Sequence, residues 1–210
     1  MDVKDGLRRY SDSDRSNHWL VVLAFFCAAL TGLAFFHPSM YFLTNLFGGG
    51  AWSRILHPFA GVVMFVLFIG MVMRFWRHNI MSANDRAWLG QWRDVMNNRE
   101  EKLPEVGRYN GGQKLLFWIM VICLAILLLT GITFWQPYFR SYFSIGVIRV
   151  ATLLHSVSAV VLIIGIVVHI YAGIWVKGTF RGMMQGTVAA RWARKHHLGW
   201  YKEETSNGKL

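Results

Sequence analysis

Residues 149–177 read RVATLLHSVSAVVLIIGIVVHIYAGIWVK, an apolar span with a histidine near each end, His155 and His169. On a helix rising about 1.5 Å per residue, this gap sets the two rings about 21 Å apart along the axis. At about 100° per residue the gap nearly closes whole turns, so both rings fall within about 40° of one face. Two imidazoles on one stripe, at two depths of a membrane, fit one ligand to each of two stacked redox centres. The rest of the chain is read for what supplies the opposing ligands.

The chain has 210 residues, 54% of them hydrophobic and 16% charged, with a mean hydropathy of +0.34. That is too apolar for a soluble domain and places the chain in a membrane class. A net charge of +11 is compatible with nucleic acid. Here, however, the basic residues cluster beside apolar spans, the pattern of a cytoplasmic membrane face, and no nucleic-acid partner is expected. Cys27 and Cys123 lie mid-span in separate apolar segments, and neither CxxC nor CxxCH occurs. Iron–sulfur ligation and c-type haem attachment are therefore unsupported. The N-terminal stretch MDVKDGLRRYSDSDR carries acids and lacks the apolar core and cleavage site of a signal peptide. No sequence repeat or low-complexity tract is read.

Four apolar spans meet the length of about 20 residues that a bilayer demands. They run over approximately 18–36, 55–76, 115–136 and 149–176. Each must be helical, because lipid offers no partner for open backbone. The fold class read here is an all-α integral membrane protein, a single domain over 1–210, with four transmembrane helices in one bundle. Nineteen of the 22 Lys and Arg fall before His18, in the 74–114 connection or from Lys177 onward. The excess puts both termini, the 77–114 loop and the 177–210 tail in the cytoplasm. Trp19, Trp52, Trp76, Trp118, Trp135 and Trp175 lie near span ends, as interfacial anchors do.

The outward 37–54 loop, HPSMYFLTNLFGGGAWSR, is partly apolar and ends in a glycine turn. It is read as docking a partner or lying at the interface. In the cytoplasmic loop, Ser82 and Asp85 resemble a capping box. Trp88, Leu89, Trp92, Val95 and Met96 then share one face of a short helix lying on the membrane or under a partner. The basic, aromatic tail is read as sitting beside anionic headgroups.

With the N-terminus inside, His18 stands at the inner side of span 1 and His57 at the outer side of span 2. His155 is outer and His169 inner. The pairs are therefore His18 with His169, and His57 with His155. His37 and His78 overshoot the matching depths by about 7 and 10 Å at helical rise, and His196 and His197 are read as solvated. Facing imidazoles without nearby Cys, Asp or Glu fit tetrahedral zinc poorly. They fit a haem iron with both axial positions filled. Two b haems, ligated by His18/His169 at the inner iron and His57/His155 at the outer iron, are the cofactors expected. Gly32, on the His18 stripe at outer depth, leaves room for a porphyrin, and Arg15, Arg54 and Arg149 are candidate partners for its carboxylates. The competing reading is a set of polar residues bonding across helices; four at matched depths in two pairs favour the ligands.

Several stretches carry a family resemblance. They are RILHPF at 54–59, GRYNGGQK at 107–114, LLHS at 153–156, VHIYAGIWVKG at 168–178 and RWARKHHLGWYKE at 191–203. On these the chain resembles the gamma subunit, a cytochrome b of the b556 type, of bacterial membrane-bound respiratory formate dehydrogenase, over nearly its whole length. A bare four-helix dihaem pattern also suits hydrogenase and thiosulfate reductase cytochromes, and a haem-free transporter relaying protons is a further alternative. The resemblance supports the same four haem ligands. It also implies a quinone site at Asn110, Gly112 and Gln113, with His169 adjoining. From the residues alone, the same segment reads first as a glycine turn capping span 3, a role compatible with quinone contact. Leu198-Gly199 stands where the resemblance leads one to expect Pro-Arg.

The implied function is electron transfer from an iron–sulfur beta subunit, through the outer and then the inner haem, to menaquinone or ubiquinone, with protons taken from the cytoplasm. A molybdenum or tungsten alpha subunit would oxidise formate, since no such site is visible in this chain. The implied setting is the bacterial inner membrane, in contact with lipid, and a higher oligomer such as a trimer of heterotrimers is allowed.

Overall fold

The structure, a computed structural model, describes residues 6–97, 99–206 and 208. In chain order it comprises β1 (Gly6–Arg8), α1 (Asp12–Phe36), a 3-10 helix (Pro38–Phe47), α2 (Gly50–Phe75), α3 (Ala83–Gly90), α4 (Trp92–Met96), α5 (Gly111–Phe134), α6 (Ile145–Trp175), α7 (Thr179–Gln185), β2 (Thr187–Ala189), α8 (Ala190–His196) and α9 (Leu198–Ser206). The helices α1, α2, α5 and α6 are long and apolar enough to cross a membrane.

Caps, rather than hydropathy, set where these helices begin. α1 starts six residues before the apolar run, because Ser11 and Asp14 exchange reciprocal bonds. Ser11 N–H donates to Asp14 Oδ2 at 2.9 Å, and Asp14 N–H donates to Ser11 Oγ at 3.1 Å. This is a capping box that satisfies donors at the helix start. Ser144 plays a weaker version at α6, taking the Val147 N–H at 3.4 Å.

The chain divides into two units, one of residues 16–73 and 119–167, the other of residues up to 15, 74–118 and from 168 on. In the first, all four long helices feed one buried cluster: Ala28 of α1, Met64 and Phe68 of α2, Cys123 and Leu124 of α5, and Leu162 of α6. Leu23, Val66, Leu129 and Ile164 remain exposed, the expected fate of apolar side chains whose solvent is lipid. The 37–54 loop is mostly helical, with His37 as cap: the Ser39 N–H donates to its Nδ1 at 3.2 Å. Gly48 ends that helix at φ 79°, a left-handed geometry that glycine adopts without a steric penalty.

The second unit holds a feature absent from the sequence reading. β1 and β2 pair antiparallel, with Leu7 opposite Val188. Both side chains are 1% exposed and pack with Trp192, Ala193 and Trp200. Beside them Arg9, 3% exposed, lies 5.0 Å from the Trp192 ring and 4.8 Å from the Trp200 ring. It donates to the Arg108 carbonyl at 2.6 Å. Ring faces take the place of a carboxylate as its counter-charge.

Two local expectations are corrected here, for His197 and for the loop helix, while Arg15 and the tail show contacts that the sequence did not announce. His197 is buried, 2% exposed, with Nδ1 3.0 Å from the Gly107 carbonyl and Nε2 3.4 Å from Arg9 Nη2. Burial, together with the Arg9 charge, pushes its pKa down to about 3, so it is a neutral core residue. The loop helix is two helices, because the chain turns at Gln91. Trp88 and Leu89 are half-buried, whereas Trp92 and Met96 are exposed. Arg15 is committed within its own unit, to Asp12 at 2.6 Å and to the Met184 carbonyl. The tail docks through Gly199, whose N–H donates to the Val106 carbonyl at 3.0 Å. A Cβ there would stand only 2.9 Å from that oxygen, a reason for glycine at this position.

Candidate functional site

His57 on α2 and His155 on α6 face each other with ring centroids 6.2 Å apart and planes at 63°. Each ring is fixed through Nδ1. His57 Nδ1 is 3.0 Å from Thr31 Oγ1 and 3.0 Å from the Ala28 carbonyl. A carbonyl only accepts, so Nδ1 carries the hydrogen. His155 Nδ1 is 3.0 Å from Thr130 Oγ1, whose own hydrogen goes to the Ile126 carbonyl at 2.6 Å. Here too Nδ1 must donate. In both rings the lone pair is left on Nε2, and no hydrogen bond among the described residues takes it up. Metal–imidazole bonds run about 2 Å. Adding half of each ring, two imidazoles on opposite sides of one ion have centroids about 6 Å apart, the separation found.

The sequence profile of the family described as prokaryotic cytochrome b561 matches residues 9–186. The chain belongs to this family. It is also similar to the formate dehydrogenase cytochrome b556(fdo) subunit of Escherichia coli K12, with 47% identity over 97% of this chain and 95% of that protein. The formate dehydrogenase cytochrome b556 subunit of Haemophilus influenzae is 45% identical over 93% of this chain and 82% of its own. The nitrate-inducible cytochrome b556(Fdn) subunit of E. coli K12 is 44% identical over 90% and 88%.

Membership of the cytochrome b561 family implies haem b, and the His57/His155 pair fits it. The pair offers two neutral nitrogens at axial separation in a site without carboxylate or thiolate. Glycines flank it: a Cβ on Gly32 would stand 2.9 Å from His57 Cε1, and one on Gly131 3.4 Å from His155 Cε1. A Cβ on Gly61, one turn beyond His57, would meet nothing within 4 Å. Gly32 thus makes room for the ligand ring itself, not only for a porphyrin as its depth suggested.

His18 lies half-buried on α1 with its ring edge-on to Trp19 at 5.4 Å. His169 lies on α6, in the other unit. The two are described separately, each on the helix the sequence reading assigned. Next to His18, Asn17 Nδ2 donates to the Leu67 carbonyl at 3.0 Å, and a Cβ on Gly70 would stand 3.1 Å from Asn17 Oδ1. Asn17 ties α1 to α2 near residue 71, where the sequence reading set the inner site, and escaped that reading. A lone amide at the mouth of an apolar span was its signal. His37 and His78 are exposed, as their depths required. His37 also has the opposite tautomer: Nδ1 accepts, leaving the hydrogen on Nε2. Arg54 and Arg149 are exposed as well.

Asn110 and Gln113 form a reciprocal cap at the start of α5. Asn110 N–H donates to Gln113 Oε1 at 3.0 Å, and Gln113 N–H donates to Asn110 Oδ1 at 2.9 Å. The capping expected from the residues alone is therefore present. It engages only the side-chain oxygens; among the described residues neither amide NH₂ has a partner. The Gly112 N–H belongs to the first turn, where helix donors lack an intrahelical acceptor. Gly111 and Gly112 permit close packing on α3, since a Cβ on Gly112 would stand 3.1 Å from the Trp88 ring. Below them Lys114 Nζ meets Asp85 Oδ2 at 2.6 Å and the Ile80 carbonyl at 3.1 Å. Burial disfavours the charged Asp85 carboxylate, but hydrogen bonds from Lys114 and Ser82 outweigh it and hold its pKa below 3.8. This pair lay unread inside GRYNGGQK and the capping box, because nothing local links two residues so far apart in sequence.

Proposed function

We propose that the chain is the haem-b membrane subunit of a formate dehydrogenase, passing electrons from an iron–sulfur beta subunit to menaquinone or ubiquinone. The relatives at 44–47% identity bear that subunit's name. The observation that carries the reading is the His57/His155 pair, with ring centroids 6.2 Å apart, both Nδ1 atoms anchored and both Nε2 lone pairs open. In this reading His57 and His155 hold the outer haem, and His18 and His169 the inner one. Haem b, when bound, would supply a one-electron iron centre, and these histidines would be the residues that hold it.

The chain's own residues do the rest. The cluster of Ala28, Met64, Phe68, Cys123, Leu124 and Leu162 excludes water between the long helices. The Asn110 and Gln113 NH₂ groups and the Gly112 N–H supply donors for a quinone carbonyl. Both termini face the cytoplasm, so protons for the quinone come from that side. Each charge so separated is worth about 2.3 kcal/mol per 100 mV. Formate oxidation belongs to a molybdenum or tungsten alpha subunit, and the whole can form a trimer of heterotrimers.

The test is haem stoichiometry. A pyridine haemochrome assay on the purified complex should give two b haems per chain, and His155→Ala should lose one and stop quinone reduction. Normal quinone reduction in that variant rejects the route. Copurification of molybdenum or tungsten and iron–sulfur subunits supports the formate dehydrogenase assignment; copurification of a nickel–iron subunit rejects it.

A further inference from the structure

We propose that Thr31 and Thr130 are matched positioning residues that hold His57 and His155 as metal ligands, each within a Leu-Thr-Gly cradle repeated on α1 and α5. The inference rests on reading His57 and His155 as haem ligands. The repeat is Leu30-Thr31-Gly32-Leu33-Ala34-Phe35 against Leu129-Thr130-Gly131-Ile132-Thr133-Phe134, and the initial reading that no repeat exists is corrected by it.

The two copies agree atom for atom. Thr31 Oγ1 donates to the Cys27 carbonyl at 2.6 Å and lies 3.1 Å from the Ala28 carbonyl. Thr130 Oγ1 donates to the Ile126 carbonyl at 2.6 Å and lies 3.3 Å from the Leu127 carbonyl. Each hydroxyl then takes an imidazole Nδ1 at 3.0 Å from the next long helix. The following glycine faces Cε1 of the same ring in both copies.

A threonine in a membrane helix ordinarily satisfies its hydroxyl on the preceding turn and needs nothing more. That structural role accounts for the two 2.6 Å bonds. It does not account for an imidazole on the remaining lone pair in both copies. With the hydroxyl hydrogen spent, the threonine oxygen can only accept from Nδ1; at His57 the Ala28 carbonyl, 3.0 Å away, shares that hydrogen, and each ring is held with Nε2 bare. In hydrocarbon no water can substitute for that acceptor. An acceptor on the far nitrogen of a ligating histidine orients the ring and raises its basicity, which favours the oxidised metal; removing one costs about 10–100-fold in metal affinity or activity.

The experiment uses the assembled complex, with Thr31→Val, Thr130→Val and the corresponding serine variants, read by optical redox titration and low-temperature EPR. Thr130→Val should shift the outer couple about tenfold toward the reduced form, about 59 mV for one electron, and Thr31→Val should shift it the same way by less, because the Ala28 carbonyl still accepts from His57 Nδ1. The inner component should stay in place, and serine should restore the original potential. Haem loss in a valine variant with retention in the serine variant also supports the proposal. Unchanged potential and EPR spectrum in both valine variants, or serine behaving like valine, overturns it. His57→Ala and His155→Ala separate this from the reading beneath it. If they keep the full haem complement, the ligand assignment itself falls and this proposal with it.

Discussion

Replacing Gly32 by alanine adds one carbon facing His57, 2.9 Å from its Cε1. Non-bonded carbons settle at about 3.5–4.0 Å, so ring or helix must yield by roughly 0.6 Å or more. The ring is poorly placed to yield, because its Nδ1 is bound to both Thr31 Oγ1 and the Ala28 carbonyl. Moving it weakens two hydrogen bonds worth about 0.5–1.5 kcal/mol each and drives the side chain off its rotamer at a similar cost. Alanine gains about 1 kcal/mol over glycine in a helix interior. The clash therefore wins, by about 1–3 kcal/mol. In Gly131→Ala the added carbon stands 3.4 Å from His155 Cε1, which a shift of about 0.1 Å relieves. There the helix preference wins, and the variant should be neutral or stabilised by up to about 1 kcal/mol. Thermal unfolding of the detergent-solubilised complex, with haem per chain measured in parallel, reads both. Gly32→Ala should melt lower and lose haem, whereas Gly131→Ala should do neither. If the two behave alike, the close approach of His57 to α1 is not what sets the site.

Asn110→Asp keeps the acceptor that caps α5 and removes the NH₂ donors, so it should slow quinone reduction at least about tenfold while the haems stay reducible; full turnover would remove Asn110 from the quinone site. Asp85→Ala leaves the Lys114 ammonium buried without its partner and should cost about 3–5 kcal/mol in thermal unfolding, whereas Asp85→Ala with Lys114→Met should recover most of it; equal losses would deny the pair its coupling. His197, with its pKa near 3 in the fold against 6.5 ordinarily, takes up a proton when unfolded that it refuses when folded. Its contribution is whole above about 6.5 and is lost progressively as pH falls toward 3. Protease sensitivity of the tail should rise across that window, and His197→Gln should flatten the rise. Asp85 acts lower, its contribution being lost only as pH falls below 3.8.

The four spans were legible because lipid enforces a simple rule, helix plus length, and the sequence obeys it at every span. Their true starts were not, because Ser11 and Asp14 extend α1 by hydrogen bonds that a hydropathy window does not register. The tail was misread for a related reason. RWARKHHLGWYKE reads as lying beside anionic headgroups with His196 and His197 solvated, yet Trp192, His197 and Trp200 turn inward. What draws them in is Arg9 and the β1–β2 pairing from the other end of the chain, and no local pattern announces such distant partners. The pairing of His57 with His155 was legible from depth counting. Its support was not, since Thr31 and Thr130 look like ordinary small polar residues in apolar helices until the helices after them are in place.

What separates His57 and His155 from His37 and His197 is which nitrogen is already spent. His37 accepts on Nδ1, so its Nε2 holds the hydrogen and offers no lone pair. His197 donates through Nδ1 to Gly107, and its Nε2 already faces Arg9. His57 and His155 donate through Nδ1 and leave Nε2 open, with their ring centroids 6.2 Å apart. Depth along the helices picked out this pair from the sequence, and the hydrogen-bond pattern picks out the same pair without using depth. Because the two arguments share no premise, a variant that spoils one leaves the other testable. Thr130→Val removes the acceptor of His155 Nδ1 without moving His155 along its helix, and moving His155 by one residue would change its depth and face while leaving Thr130 in place.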